Sequence, residues 1–254
     1  MSKVVIVSGG SGEIGEEICK TLVENGYTVF FTYYQNIKKA KEIESYLKIY
    51  ASDSKSQMVD ITDSASIKNL VSKIESTNEI YGLINCTGIS ISADPLLELE
   101  EVVWDRIHNV NLKGTYLMCK YILPLILKNG KGRIINISSI HGQNPPALRT
   151  AYSSSKAGVI ALTKSLAKEV AQYNICVNAI CPGPVRTDML EKIWMISAKK
   201  ENISFEDYEK SKLNEIPIGK LCEPIDVAES VLFLLSDCSA QITGAVININ
   251  GGAY

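Results

Sequence analysis

Tyr152 and Lys156 stand four residues apart within an apolar-periodic stretch, so on a helix they share one face. A phenol ordinarily titrates near ~10, too high for an efficient base at neutral pH, and a cation held beside it favours the phenolate. A tyrosine assisted in this way can give or take a proton at a carbonyl or alcohol oxygen. Ser139, thirteen residues before Tyr152, closes a β-branched run and offers a hydroxyl to the same oxygen. Taken alone, a Tyr-x-x-x-Lys spacing is an ordinary helical surface pair. Its weight comes from the rest of the chain.

A second cluster is Ser8-Gly9-Gly10-Ser11-Gly12-Glu13-Ile14-Gly15, set between the first apolar run and the first helical pattern. Glycine permits a tight turn and lets backbone N–H groups approach a pyrophosphate, while the helix start adds unpaired donors and a positive dipole end. A dinucleotide fingerprint ends its second strand on a carboxylate for the ribose hydroxyls. Here that place holds Thr32-Tyr33-Tyr34-Gln35-Asn36, with Lys38 and Lys39 just beyond. Neutral polar groups beside lysines accept a 2′-phosphate that a carboxylate would repel, which favours NADP(H) over NAD(H). Each lysine singly reads equally well as a solvated helix face.

The elements that must position these groups alternate from end to end. Strands are expected at 4–8, 27–33, 57–59, 81–85, 133–138, 175–181 and 245–250. Helices are expected at 14–25, 37–49, 63 or 64 to 75, 103–128, 152–173 and 224–236. Strands separated by helices imply parallel pairing, and helices on both faces explain why the strands read as continuous apolar runs. One α/β domain spanning 1–254, a doubly wound parallel sheet of about seven strands, is the economical reading.

Composition removes whole classes of function. Apolar residues make up 46% of 254 and the net charge is −2, so the chain is globular and has no global drive toward nucleic acid or anionic membrane. Seven scattered cysteines without C-x-x-C spacing read as small buried hydrophobes, and two histidines form no metal motif. Neither a signal peptide nor a membrane span is recognisable, so a cytoplasmic location is expected.

Together these motifs resemble the short-chain dehydrogenase/reductase family over nearly the whole length, and the resemblance implies a single Rossmann-type domain. Asn109-Val110-Asn111-Leu112-Lys113-Gly114 is similar to the segment whose second Asn completes a catalytic tetrad, which implies catalytic roles for Asn111, Ser139, Tyr152 and Lys156. In the family that Asn holds a water relaying protons from the Lys. The resemblance further implies cofactor contacts at Gly9, Ser11, Gly12, Ile14, Tyr34, Asp60, Ile61, Asn85, Gly88, Tyr152, Lys156, Pro182, Gly183, Val185 and Thr187, with a substrate lid at about 187–219. Two departures stand out: Cys86-Thr87 replaces Asn-Ala, and Glu13 replaces the second glycine of T-G-x-x-x-G-x-G. Read as S-G-x-x-G-x-x-G, however, Gly9, Gly12 and Gly15 fit the extended branch. The cofactor reading requires Glu13 to turn outward.

The closing Asn250-Gly251-Gly252-Ala253-Tyr254 resembles the 3-oxoacyl-[acyl-carrier-protein] reductase branch, which implies a small carbonyl or alcohol substrate carried on acyl-carrier protein and a homotetramer. In that branch basic residues near the active-site entrance dock the carrier, and Lys128, Lys131, Arg133 and Lys168 are the available set. Two other readings stay open: an alcohol dehydrogenase of a polyketide, sugar or cyclitol pathway, and a non-catalytic nucleotide-binding relative.

Overall fold

The computed structural model describes residues 3–74, 79–91 and 93–253. Seven parallel strands form one sheet in the order β3-β2-β1-β4-β5-β6-β7. They are β1 (Val4–Ser8), β2 (Thr28–Tyr33), β3 (Lys55–Met58), β4 (Ile80–Asn85), β5 (Gly132–Ile137), β6 (Ile175–Pro182) and β7 (Val246–Ile249). The chain begins in the middle, winds out to β3, then crosses back to place β4 beside β1. That reversal opens a crevice at the carboxyl ends of β1 and β4, where ligands bind in such sheets.

Helices cover both faces. On one side α1 (Glu13–Glu24), α2 (Ile37–Tyr50) and α9 (Pro224–Leu235) bury Ile18, Leu22, Leu47, Val231 and Leu235 against the sheet. On the other, α3 (Ser64–Ile74), α5 (Thr115–Leu127) and α6 (Thr150–Val170) bury Ile67, Leu70, Met118, Ile122 and Leu166. Each such side chain contributes roughly 1.5–3 kcal/mol when removed from water. Burial on both faces accounts for the uninterrupted Val-Val-Ile-Val of β1. The edge strand β3 is the polar exception, with Met58 exposed. The expected end of α3 at Glu75 lies outside the described residues.

Two expectations change. The helix expected over 103–128 is three pieces: α4 (Glu101–His108), a π-helical turn (Asn109–Gly114) and α5. The stretch after β6, for which no helix is expected from the sequence, is largely helical, with α7 (Asp188–Glu201) and α8 (Phe205–Asn214). These two form a small core of their own, in which Trp194, Ala198, Tyr208, Ile216 and Leu221 pack with Ala253. The seven cysteines are all free thiols. Four are buried, as read from the sequence, while Cys86 and Cys222 are half-buried and Cys238 is exposed. Among the described residues no helix is long and apolar enough to cross a membrane, and no cluster could hold a metal ion.

Candidate active site

A cleft of about 1410 Å³ runs across the carboxyl ends of the strands, from the glycine turn and the end of β2 to α7 and α8. Its first wall is the turn between β1 and α1. Gly9 adopts φ +71°, and a Cβ there would lie 2.8 Å from Thr87 Oγ1. A Cβ on Gly15 would come within 2.2 Å of the Gly9 carbonyl oxygen. Gly12 is the N-cap of α1 and has no side-chain cap, so the N–H groups of the first turn are not satisfied from that side chain. Gly9, Ser11, Gly12, Glu13, Ile14 and Gly15 all line the cleft. A glycine cradle against a helix start suits a pyrophosphate.

Next come Tyr34, Gln35 and Asn36 from the end of β2, and Asp60, Ile61 and Thr62 after β3. Asp60 accepts from the Thr62 N–H at 2.8 Å and the Thr62 hydroxyl at 2.7 Å, which fixes the turn that presents Ile61. No carboxylate from β2 faces this wall. The lysines do not reach it either. Lys39 pairs with Glu16 of α1 at 2.8 Å, and neither Lys38 nor Lys39 lines the cleft. The residues present therefore fit a dinucleotide, with neutral groups alone at the end of β2.

The centre of the cleft is built by β5, α6 and the π-helical turn. Ser138, at the end of β5, donates to the Lys156 carbonyl at 2.8 Å and so holds α6 to the sheet. Lys156 is 4% exposed, and its ammonium donates to the Ile137 carbonyl at 2.9 Å. It lies 5.9 Å from the centre of the Tyr152 ring. Ser139 Oγ accepts from the His141 N–H at 3.1 Å, leaving its own hydrogen free to point into the cleft. Asn111 is fully buried in the π-helical turn. Its amide accepts from Ile89 N–H at 2.8 Å and donates to Ile89 O at 3.0 Å and Ser155 Oγ at 3.1 Å. A Cβ on Gly88 would sit 3.1 Å from Lys156 Nζ and 3.6 Å from Asn111 Oδ1, so the two groups face each other across a glycine.

Of the residues singled out by sequence, Gly88, Ser139, Tyr152, Lys156, Pro182, Gly183, Val185 and Thr187 share this cleft with those of the glycine turn and β2–β3. Asn85 and Asn111 stand behind its wall. Asn85 is 3% exposed and donates to Asn136 Oδ1 at 2.8 Å, which ties β4 to β5 rather than facing a ligand. Cys86 and Thr87, the departure from Asn-Ala, both line the cleft. Cys86 packs against the core beside α1, its thiol pushed up to about 12 by burial, and Thr87 donates to Ser8 Oγ at 3.1 Å.

The carrier-docking set does not survive. Arg133 is buried and bonds its own strand, donating to Gly132 O at 3.0 Å. Lys128 and Lys131 precede β5, and Lys168 ends α6 before β6, so all three sit at the amino ends of the strands. Within one chain they lie opposite the cleft mouth. The cations that do line the cleft are Arg106, Arg149, Lys156 and Lys212.

Arg149 went unread in the sequence, whereas His141, two residues past Ser139, reads there as a plain loop histidine or a lining residue of the pocket, and it lines the cleft. Arg149 donates to Ser90 Oγ at 3.1 Å from a position three residues before Tyr152. His141 meets the Tyr152 ring edge-on, with centroids 6.0 Å apart. Burial, aided by the Arg149 charge, pushes its imidazole down to about 4, so it is neutral at physiological pH. The spacing to Tyr152 was the available signal for Arg149. Ser155 had none, since only helical phase separates it from Ser153 and Ser154.

A parallel sheet with a glycine turn at its switch point and a Ser, Tyr, Lys group on one cleft defines a dinucleotide-dependent oxidoreductase. The chain belongs to the short-chain dehydrogenase/reductase family. Residues 10–254 match the family model described as enoyl-(acyl carrier protein) reductase. It is 35% identical to a 3-oxoacyl-[acyl-carrier-protein] reductase FabG of Vibrio harveyi, over 99% of this chain and 97% of that one. It is 34% identical to the FabG of Thermotoga maritima, over 98% and 97%. Among solved structures, an actinorhodin polyketide ketoreductase variant with NADPH superposes at TM-score 0.94 with 29% identity, covering 99% of this chain and 97% of that one. ElxO with NADP bound superposes at TM-score 0.87 with 32% identity, covering 100% and 99%.

Proposed function

We propose that this short-chain oxidoreductase is an NADPH-dependent carbonyl reductase that converts a 3-oxoacyl thioester to the 3-hydroxy product. The observation that carries the reading is the arrangement of Ser139, Tyr152 and Lys156 on one cleft with the glycine turn. Two observations support NADPH over NADH: the neutral end of β2, and the NADP(H) held by the structural relatives. The names of the FabG relatives support the acyl thioester.

When bound, the nicotinamide supplies a hydride to the carbonyl carbon. Tyr152 gives its phenolic proton to the carbonyl oxygen, so the C=O becomes CH–OH and the phenolate is left behind. Ser139 donates a hydrogen bond to that oxygen and orients it. Lys156, held by Ile137 O, places a positive charge beside the Tyr152 ring and stabilises the phenolate. Asn111 holds the 89 backbone from both sides and faces Lys156 across Gly88, where a water would return the proton. Tyr152→Phe should lower kcat at least 100-fold while leaving the NADPH dissociation constant within about 2-fold. Substantial retained turnover would sink the mechanism.

His141 and Arg149 give the cleft a polar side, and this favours a second reading: an alcohol dehydrogenase of a polyketide, sugar or cyclitol pathway. Turnover on acyl thioesters, polyketide mimics and cyclic polyols, with each cofactor, separates the two. A non-catalytic relative is the reading that Glu13 raised, and an NADPH fluorescence titration without binding would favour it.

A further inference from the structure

Glu13 stands where the compact-family turn has glycine, and its carboxylate is not idle. It leaves the first turn of α1, crosses to the lid and accepts from the Asp188 N–H, at 3.1 Å to Oε1 and 3.0 Å to Oε2. Asp188 is the first residue of α7, and Thr187 before it is the N-cap, with Oγ1 accepting from Leu190 N–H at 3.3 Å. One carboxylate thus lies between two helix starts, those of α1 and α7, whose dipoles both favour an anion. Beneath the bridge is a smaller cavity of about 320 Å³, bordered by Glu13, Arg186, Trp194 and Phe205. Arg186 is directed to Glu223 at 2.9 Å and lies 3.9 Å from Glu209, so its charge is engaged by those two carboxylates.

We propose that Glu13 is a positioning residue that latches the lid, fixing the start of α7, and with it Thr187, over the cofactor end of the cleft. A glycine at this place has no atom to make the bridge. The cost is a negative charge next to the pyrophosphate cradle, and the outward turn of the side chain reduces it. Closure is then held by a bond between the cofactor turn and the lid, in addition to the contacts inside the lid. The latch keeps bound cofactor in and keeps the apo lid shut.

The two effects of the carboxylate have opposite signs, so they can be separated. As a mere charge beside the pyrophosphate, it would weaken NADPH, and removing it would tighten binding. As a latch, it slows release, and removing it speeds release.

The test compares wild type with Glu13→Ala and Glu13→Gln. The first measurement uses cofactor-free protein and trypsin, with mass spectrometry locating cuts after Arg186, Lys192, Lys199 and Lys200. Cuts elsewhere in the chain serve as the internal reference. Glu13→Ala should speed the lid cuts roughly 2- to 10-fold, the range a single net hydrogen bond allows. Glu13→Gln keeps a carbonyl acceptor and should stay near wild type. The second measurement is NADPH release by stopped-flow displacement, which should quicken by a similar factor in Glu13→Ala and not in Glu13→Gln. Unchanged lid cleavage in Glu13→Ala, or Glu13→Gln behaving as Glu13→Ala, overturns the latch. So does tighter NADPH binding in Glu13→Ala with release no faster. The first measurement needs no cofactor, so a failure of the NADPH reading leaves it intact.

Discussion

His141 shows how one half-buried side chain ties the cleft to acid stability. Its imidazole is pushed down to about 4 by burial in the folded protein, against about 6.5 when unfolded. Between those two values the unfolded state binds the extra proton, so stability falls as pH drops from about 6.5 toward about 4. The loss is on the order of 3 kcal/mol at most, and less to the extent that water in the cleft screens the charge. His141→Gln should flatten this part of the profile, read as urea midpoints at pH 7 and pH 4.5. Asn111 is a residue of another kind, fully buried, with its amide bonded to both sides of the half-buried Ile89 backbone and to the buried Ser155 hydroxyl. Asn111→Ala should lower stability by about 2–3 kcal/mol through the orphaned Ile89 backbone, and reduce kcat as the wall beside Lys156 loosens.

At the scale of elements, the strands and the flanking helices were legible because burial on both faces leaves an apolar run that polar loops interrupt. The site was legible where a side-chain type carries the chemistry, as at Tyr152, Lys156 and Ser139. It was illegible where backbone carries it or where tertiary placement decides. Lys39 looked like a phosphate ligand until α1 brought Glu16 against it, and Arg133 looked like a surface cation until β5 buried it. The stretch after β6 hid its helices because α7 and α8 are stabilised by Trp194, Tyr208 and the distant Ala253 rather than by the sheet. The loop before α6 stores some strain. Leu148 adopts φ +64°, a region that disfavours any side chain. Leu148→Gly should raise stability by up to about 1 kcal/mol, net of the greater freedom of an unfolded glycine. Differential scanning calorimetry would show this as a Tm rise of about 1–4 °C.

At the scale of the whole molecule, the net charge of −2 leaves anion recognition to local geometry, at the glycine turn and the few cations that line the cleft. Exposed apolar residues gather around α4 and α5, with Leu97 wholly exposed and Leu96, Val102 and Tyr116 at 66%, 67% and 42%. Surface of this kind is covered in an assembly more often than left to water. A homotetramer is the expected solution state, and a monomer mass by light scattering would refute it. The carrier question belongs to this scale too. Lys128, Lys131 and Lys168 lie at the amino ends of the strands. Of the cations that line the cleft, Arg106 is exposed and Lys212 is half-buried and paired with Glu215 at 2.7 Å, so these two are the ones a carrier domain at the cleft of one chain would find. Replacing those two with alanine should raise KM for a carrier-bound substrate several-fold and leave a small thioester unaffected.

The π-helical turn at Asn109–Gly114 has a consequence for how this chain tolerates changes in length. A π turn amounts to one residue more than an α-helix needs. Deleting Val110 would let α4 run into α5 as one regular helix, better by every local measure of helix formation. The flanking helices would keep their phase, because the π turn takes up the surplus residue locally, but Asn111 would lose the wide turn that aims it at Ile89 and Ser155. Most single deletions are absorbed by slack in a loop. Here the surplus residue is itself the means of aiming a side chain, so a shorter chain would fold more readily at this place and work worse.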